Sequence, residues 1–321
     1  MTTDAPNLPA GFPAMSIEQT ATIFARALTR RFGAHTAVNA IDLELKRVEV
    51  LGFLGPNGAG KTTTMQMLTG NLAPSAGEVT ICGIDLLAEP VNAKRRIGYL
   101  PEHPPLYREL TVDEYLTLAV KLHRVPKPKR REAIARAKQR CGISDVGRKL
   151  IGTLSKGYQQ RVGIAQAIAH EPDVLILDEP TAGLDPNQIR DIRVLVRELG
   201  GAHSVILSTH ILSEVEAICD RVQIMHHGRV VYADTIAALK AFHSGRTILL
   251  GLRRPPEPSA LERVAGVTRV ERLDANLFRL QLAASDPTEQ LVALCVQKNW
   301  GLYQLSSAQT SLEDVFVNLT Q

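Results

Sequence analysis

From Ala37 onward apolar and polar residues alternate, and the pattern then closes into a nearly solid apolar run, Val48 to Leu54, broken only by Glu49 and Gly52. Alternation at period two reads as a half-buried strand, and the solid run as a fully buried one. A glycine-rich turn and then a helix are expected next. Pro101 to Pro105 forms a breaker-rich joint, after which Thr111 to Leu122 and Lys127 to Cys141 carry helical spacing. Strand patterns return at Val174 to Leu177 and Ser204 to Leu207, each followed by sequence able to form a helix. That alternation predicts a mainly parallel α/β sheet with a helical block set into it.

A hairpin is expected next, with strands Val222 to Met225 and Arg229 to Tyr232 turning at His226-His227-Gly228, and a short helix, Ile236 to Phe242. The texture changes near His243-Ser244-Gly245. Beyond it, strands at Thr247 to Leu252, Val267 to Leu273, Leu277 to Leu282 and Trp300 to Leu305, with helices near Ala260 to Val264 and from Thr288 to Lys298, predict a small α+β unit. Ser311 and Asp314 stand at capping-box spacing before a last helix, Leu312 to Leu319. The expected organisation is a loose tail over 1–20, a main domain over 21–243 with a helical subdomain over about 103–169, and an accessory α+β domain over 244–321.

At 321 residues, 45% hydrophobic and 22% charged, the chain can bury a large core in about two domains. A formal net charge of +4 does not require a nucleic-acid partner, and none is expected. The longest unbroken apolar run, Leu291 to Val296, is far short of the ~20 residues that span a bilayer as a helix, so no direct membrane span is expected. Cys82, Cys141, Cys219 and Cys295 lie far apart without CxxC spacing, which argues against a zinc site or disulfide framework and suits a reducing cytosol. Apart from one candidate named below, the histidines, His226 and His227 among them, are expected at the surface.

The segment Gly55-Pro56-Asn57-Gly58-Ala59-Gly60-Lys61-Thr62 fits G-x-x-x-x-G-K-[ST] between an expected strand and an expected helix. Chance supplies about 0.01 such matches in a chain of this length. The glycines let backbone N–H groups close around phosphate oxygens, the helix N-terminus adds positive potential, Lys61 supplies a point charge and the Thr62 hydroxyl can ligate Mg²⁺. A nucleoside triphosphate is the expected ligand. The strand Val174 to Leu177 ends in Asp178-Glu179, two carboxylates at the edge where α/β sheets bind ligands. Asp178 is expected to hold Mg²⁺ through water, and Glu179 to orient or deprotonate the attacking water.

With these motifs the run Leu154-Ser155-Lys156-Gly157-Tyr158-Gln159-Gln160-Arg161, then Leu184-Asp185 and Ser208-Thr209-His210, makes residues ~20 to 240 resemble an ABC transporter ATPase. The phrases GYLPEHPPLYRELTVDEYL and SLEDVFVNLTQ resemble bacterial exporter members of the gliding-motility, multidrug or sodium-extrusion type. The resemblance implies a P-loop NTPase cassette that dimerises around two ATP molecules and drives separately encoded membrane permease subunits, a cytoplasmic protein peripheral on the cytoplasmic face of the cell membrane. It also assigns roles: Phe32 stacks on adenine, and Gly55 to Thr63, including Thr63 itself, cradles phosphate. Ser155 and Gly157 touch the γ-phosphate of ATP on a second copy, Asp185 bridges the protomers, and His210 contacts the γ-phosphate as part of the catalytic set with Glu179 and Lys61.

Two positions depart from the family pattern. Glu102, after Ile97-Gly98-Tyr99-Leu100-Pro101, stands where the family has a glutamine, replacing an amide by a carboxylate that can still ligate Mg²⁺. Val48 stands where many relatives have Gly, and its β-branched side chain is expected to disfavour positive φ and so to modify the turn. The segment from Glu102 to Tyr115, with Tyr107, is the expected docking groove for a permease helix, and the basic run Lys127 to Arg131 is expected to be a solvated helix start. Two other readings stay open: a soluble ABC ATPase acting on ribosomes or DNA, and a non-catalytic ATP-binding regulator.

Overall fold

The computed structural model describes residues 21–242, 247–283 and 287–308, so the expected tail over 1–20 and the expected helix Leu312 to Leu319 lie outside the described residues. Two compact units divide after Asp234. The division precedes the expected boundary at 243 because the helix Ile236–Phe242 groups with the second unit.

The first unit opens with β1 (Ala21–Phe32) and β2 (His35–Lys46), a long antiparallel pair. β3 (Val50–Leu54) is buried at every position, and α1 (Lys61–Leu68) follows it. Next come β4 (Ala76–Ile81), β5 (Ile84–Asp85), the short α2 (Pro90–Lys94) and β6 (Ile97–Leu100). The helical block holds α3 (Val112–Leu122), α4 (Arg130–Arg140) and α5 (Lys156–Ile168). The Thr111 side chain accepts from the Glu114 amide while the Glu114 carboxylate accepts from the Thr111 amide, which fixes the start of α3. Then follow β7 (Val174–Asp178), α6 (Pro186–Gly200), β8 (Ser204–Thr209), α7 (Leu212–Ile218), β9 (Arg221–His226) and β10 (Arg229–Thr235).

Two sheets result, one ordered β2-β1-β4-β5 and one ordered β10-β9-β3-β8-β7-β6. In the second, β9, β3, β8, β7 and β6 run parallel to their neighbours. β3, β7 and β8 are buried along their whole length, as strands covered on both faces must be. Each fully buried Leu or Ile among them contributes about 1.5–3 kcal/mol. Because the strands are parallel, the residues that follow β3, β6, β7 and β8 all emerge at one edge of the sheet. That edge carries the site.

Val48 overturns an expectation. It adopts φ 54 despite its branched side chain, and its amide donates to Ser204 Oγ at 3.0 Å. The neighbouring backbone holds it in the left-handed turn that a glycine would take without strain.

The second unit contains α8 (Ile236–Phe242), β11 (Thr247–Leu252), α9 (Pro258–Glu262), β12 (Val267–Asp274), β13 (Leu277–Leu282), α10 (Thr288–Gln297) and β14 (Leu302–Ala308). Its antiparallel sheet has the order β12-β13-β11-β14. Leu250, Phe278, Leu280 and Leu291 form its dry centre. Among the described residues no helix is long and apolar enough to cross a membrane.

Candidate active site

The bend between β3 and α1 is shaped by two glycines. Gly60, at the N-cap of α1, has φ 106, and a Cβ there would stand 2.5 Å from the Ala37 carbonyl. Gly58, at φ 79, has nothing within 4 Å of where its Cβ would be. Its outer side is therefore clear for a ligand to approach the backbone. The Ala59 amide closes the bend onto the Pro56 carbonyl at 3.2 Å. Lys61 is buried, and its Nζ donates to the carbonyls of Gly55 at 2.9 Å and Pro56 at 3.3 Å. Thr62 and Thr63 occupy the next positions of the same helical turn, Thr62 exposed and Thr63 half-buried, beside the exposed Asn57.

The neighbouring strand ends converge on this loop. The Gly55 amide donates to the Thr209 carbonyl at 3.3 Å, and the Glu179 amide donates to the Ser208 carbonyl at 2.8 Å. Glu179 is held at φ 47, with Oε1 3.5 Å from Lys61 Nζ and Oε2 2.9 Å from His210 Nδ1. Lysine, carboxylate and imidazole thus form one line, buried at Lys61 and open at His210, whose side chain is 45% exposed. A buried carboxylate held beside the exposed His210 ring can orient a water that enters past that ring and accept its proton.

Asp178 is fully buried beside this line. Its Oδ1 accepts from Ser208 Oγ at 2.7 Å, and among the described residues its Oδ2 has no partner. Burial raises the carboxyl's pKa, the hydroxyls of Ser208 and Thr62 partly offset the rise, and the charges of Glu179 and Glu102 add to it. An unpartnered buried carboxylate oxygen beside the Thr62 hydroxyl fits a divalent cation that takes its other ligands from phosphate and water. Glu102 itself is exposed, at the end of the neighbouring strand.

Ser155, Gly157 and Asp185 gather elsewhere. Ser155 caps α5, its hydroxyl accepting from the Tyr158 amide at 3.4 Å, and Asp185 caps α6, accepting from the Gln188 amide at 2.9 Å. A Cβ on Gly157 would meet the Gln188 side chain, so the two helix starts touch through that residue. Among the described residues, no hydrogen bond or ion pair joins this second cluster to Lys61 or Glu179. Phe32 lies at the end of β1, 46% exposed, with the Arg30 guanidinium 4.6 Å from its ring centroid. Tyr107 is exposed and meets the buried Tyr115 edge to face at 6.1 Å.

Sequence reading passed over Glu214. It is fully buried on α7 and accepts from Thr181 Oγ1 at 2.5 Å and Thr209 Oγ1 at 2.8 Å, tying together the segments that carry Glu179 and His210. A carboxylate on the same helical face as Val215 and Ile218 was its only mark in the sequence. The expectation of surface histidines fails for His203, which is buried with Nδ1 2.7 Å from the Pro172 carbonyl; His170 and His123 are half-buried and stack face to face at 3.6 Å.

The glycine-lined bend, its lysine and the acidic strand end define a P-loop nucleotide-hydrolysing domain. Residues 38–182 match the family model described as ABC transporter. Among curated relatives, the uncharacterized ABC transporter ATP-binding protein YxlF of Bacillus subtilis is 34% identical, over 91% of this chain and 97% of its own. The daunorubicin/doxorubicin resistance ATP-binding protein DrrA of Streptomyces peucetius is 33% identical over 95% and 94%. A solved ATP-binding subunit of an ABC transporter superposes with a TM-score of 0.63 at 30% identity, covering 69% of this chain and 92% of that one. The chain belongs to the ABC transporter ATP-binding protein family, and it is an ATPase.

Proposed function

We propose that this subunit dimerises around two ATP molecules and drives separately encoded permease subunits, most simply for export, from the cytoplasmic face of the membrane. The observation that carries the reading is the line Lys61–Glu179–His210 set beside the unpartnered Asp178 oxygen. Lys61 neutralises phosphate charge at the bend, Glu179 takes a proton from water, and His210 holds the Glu179 carboxylate in place while reaching toward the γ-phosphate. Phe32, exposed at its strand end, offers a face for adenine. Asp178 and Thr62, with Glu102 nearby, would hold Mg²⁺, which when bound neutralises the charge that develops on the phosphoryl group. The Ser155 and Gly157 cluster, which among the described residues shares no hydrogen bond or ion pair with Lys61, serves ATP held by a second copy, and Asp185 lies at that junction. Export is supported by relatives with names such as bacitracin transport and daunorubicin resistance ATP-binding proteins.

Replacing Glu179 by Gln keeps the shape of the side chain and removes its basicity. Turnover is expected to fall by about 10²–10⁴ while ATP affinity is kept, and a stable ATP-loaded dimer should appear by size exclusion with light scattering. Unchanged turnover removes Glu179 from its role, and a monomer at saturating ATP removes the composite site. Association of the wild-type chain with ribosomes, in place of membranes holding its permease, would favour the soluble reading.

A further inference from the structure

At the opposite edge of the parallel sheet lies a cavity of about 470 Å³, bordered by α2, by the connection from α3 to α4, and by the turn before β7. Arg96 immediately precedes β6, and Asp173 immediately precedes β7, whereas Glu102 and Asp178 lie at the far ends of those strands. At ~3.3 Å per residue the two edges stand roughly 15 Å apart, so this cavity is not part of the ATP site. Its volume lies in the range of small-molecule clefts, and it is open to solvent on one side.

Its charge is one-sided. Arg95, Arg96, Arg124 and Lys129 line it, against Glu171 and Asp173. Both carboxylates are already taken, Asp173 by Arg96 at 3.0 Å and Glu171 by Arg136 at 2.6 Å. Among the described residues Arg95, Arg124 and Lys129 have no ion pair. All three are exposed to solvent around one concavity, where no carboxylate competes with an incoming anion for them.

The backbone points to the same place. α3 ends in a Schellman turn, with the Val125 amide on the Val120 carbonyl at 2.9 Å and the Arg124 amide on Lys121 at 3.0 Å. The left-handed position of that turn, which glycine takes at no cost, is filled by Arg124 at φ 57. Glu171, on the facing turn, stands at φ 56. Two bulky residues held in a strained region on both sides of one cavity are the pattern expected where side-chain placement matters more than stability. The stacked rings of His123 and His170 add a flat wall. His170 Nε2 lies 3.0 Å from the Ile97 carbonyl and so carries the proton, which leaves the buried Nδ1 as an acceptor with no partner among the described residues. That nitrogen suits a hydroxyl beside the anionic group.

We infer that this cavity binds a phosphate-bearing anion, separate from the ATP that the chain hydrolyses, through Arg95, Arg124 and Lys129. A ligand there ties the α3–α4 connection to the edge of the sheet. The shared chemistry is a phosphate group, from either a soluble phosphate compound or an anionic phospholipid headgroup.

The test uses the full chain with its nucleotide loop saturated by MgADP. Calorimetric titration with pyrophosphate should show one further equivalent bound by the wild type. The Arg124→Gly, Lys129→Ala double variant should bind it about a hundredfold more weakly, about tenfold for each cation removed, with MgADP affinity unchanged. Arg124→Gly relieves the turn, so thermal stability should not fall, and weak binding cannot then be put down to misfolding. In a second arm, vesicles of phosphatidylglycerol are compared with phosphatidylcholine. Sedimentation with the anionic vesicles that the double variant lacks identifies a headgroup, and pyrophosphate uptake without sedimentation identifies a soluble ligand. Either supports the assignment. No further uptake of pyrophosphate or vesicles by the wild type, or equal binding by the double variant, overturns it.

Discussion

The two units use their interiors differently. In the first, Glu49, Lys61, Asp178, Glu179 and Glu214 are each no more than 7% exposed, and Ala27, Ala40, Val48, Cys82, Arg124, Glu171, Glu179 and His227 hold φ between 46 and 57. Among the described residues of the second, no charged residue is buried and the single non-glycine at positive φ is Asn299, a residue type that accepts that conformation. Buried charge and backbone strain each cost stability, and a protein carries them where positioning is worth the cost. The first unit is built to hold chemistry in place, and the second is built to pack.

The sharpest test of that contrast removes the centre of the second unit. Phe278 is fully buried on β13 among Leu250, Leu280 and Leu291. Phe278→Ala should destabilise that unit by about 3–5 kcal/mol, read as an earlier denaturant transition, while ATP affinity stays within about twofold. A matching loss of affinity would mean that the second unit supports the site, and the division of labour would fail. A smaller effect concerns acid. Burial, with the neighbouring His123 and His203, lowers His170 from 6.5 to about 3, although its bond to Ile97 opposes the shift. Its folded pKa is below its unfolded one, so the stability it contributes is complete above pH 6.5 and is lost as pH falls toward 3, because the unfolded chain takes up the proton first. By pH 5 the loss is about 2 kcal/mol. His170→Asn should remove that slope, measured as unfolding free energy against pH, in the transition of the first unit alone. Slopes that match between the variant and the wild type would show that His170 is not held neutral.

What could be read from the sequence depended on how far each feature reached along the chain. The nucleotide bend lies in one short stretch, Gly55 to Thr62, whose glycines and lysine have few uses in combination, and the strands on either side were visible as apolar runs. Glu179 and Asp178 were visible because two carboxylates at the end of a buried strand need an explanation. The pairing of Glu179 with Lys61 and His210 depends on parallel strand order, which the pattern suggested and only the fold could supply. Glu214 was hidden because one acid on an amphipathic helix reads as solvated. The cationic cavity was hidden for a different reason. Arg95, Arg124 and Lys129 come from separated segments, and Lys129 sat in a run that reads as a helix start exposed to water.

Val48 gives the smallest test of the contrast and the most specific one. Ordinarily a glycine is less stable than an alanine at the same position by about 0.5–1 kcal/mol, because it has more freedom to lose. At φ 54 the order should reverse, since any Cβ in the left-handed region costs about 1–2 kcal/mol and glycine has none. The Val48 side chain is 51% exposed, so both replacements give up a similar, modest contact surface, and the comparison isolates the backbone. Val48→Gly should therefore exceed Val48→Ala in unfolding free energy by about 0.5–1 kcal/mol, with the hydrogen bond from residue 48 to Ser204 kept in both. If alanine proves the more stable, the turn has relaxed to negative φ in solution, and strain at this position no longer separates the first unit from the second.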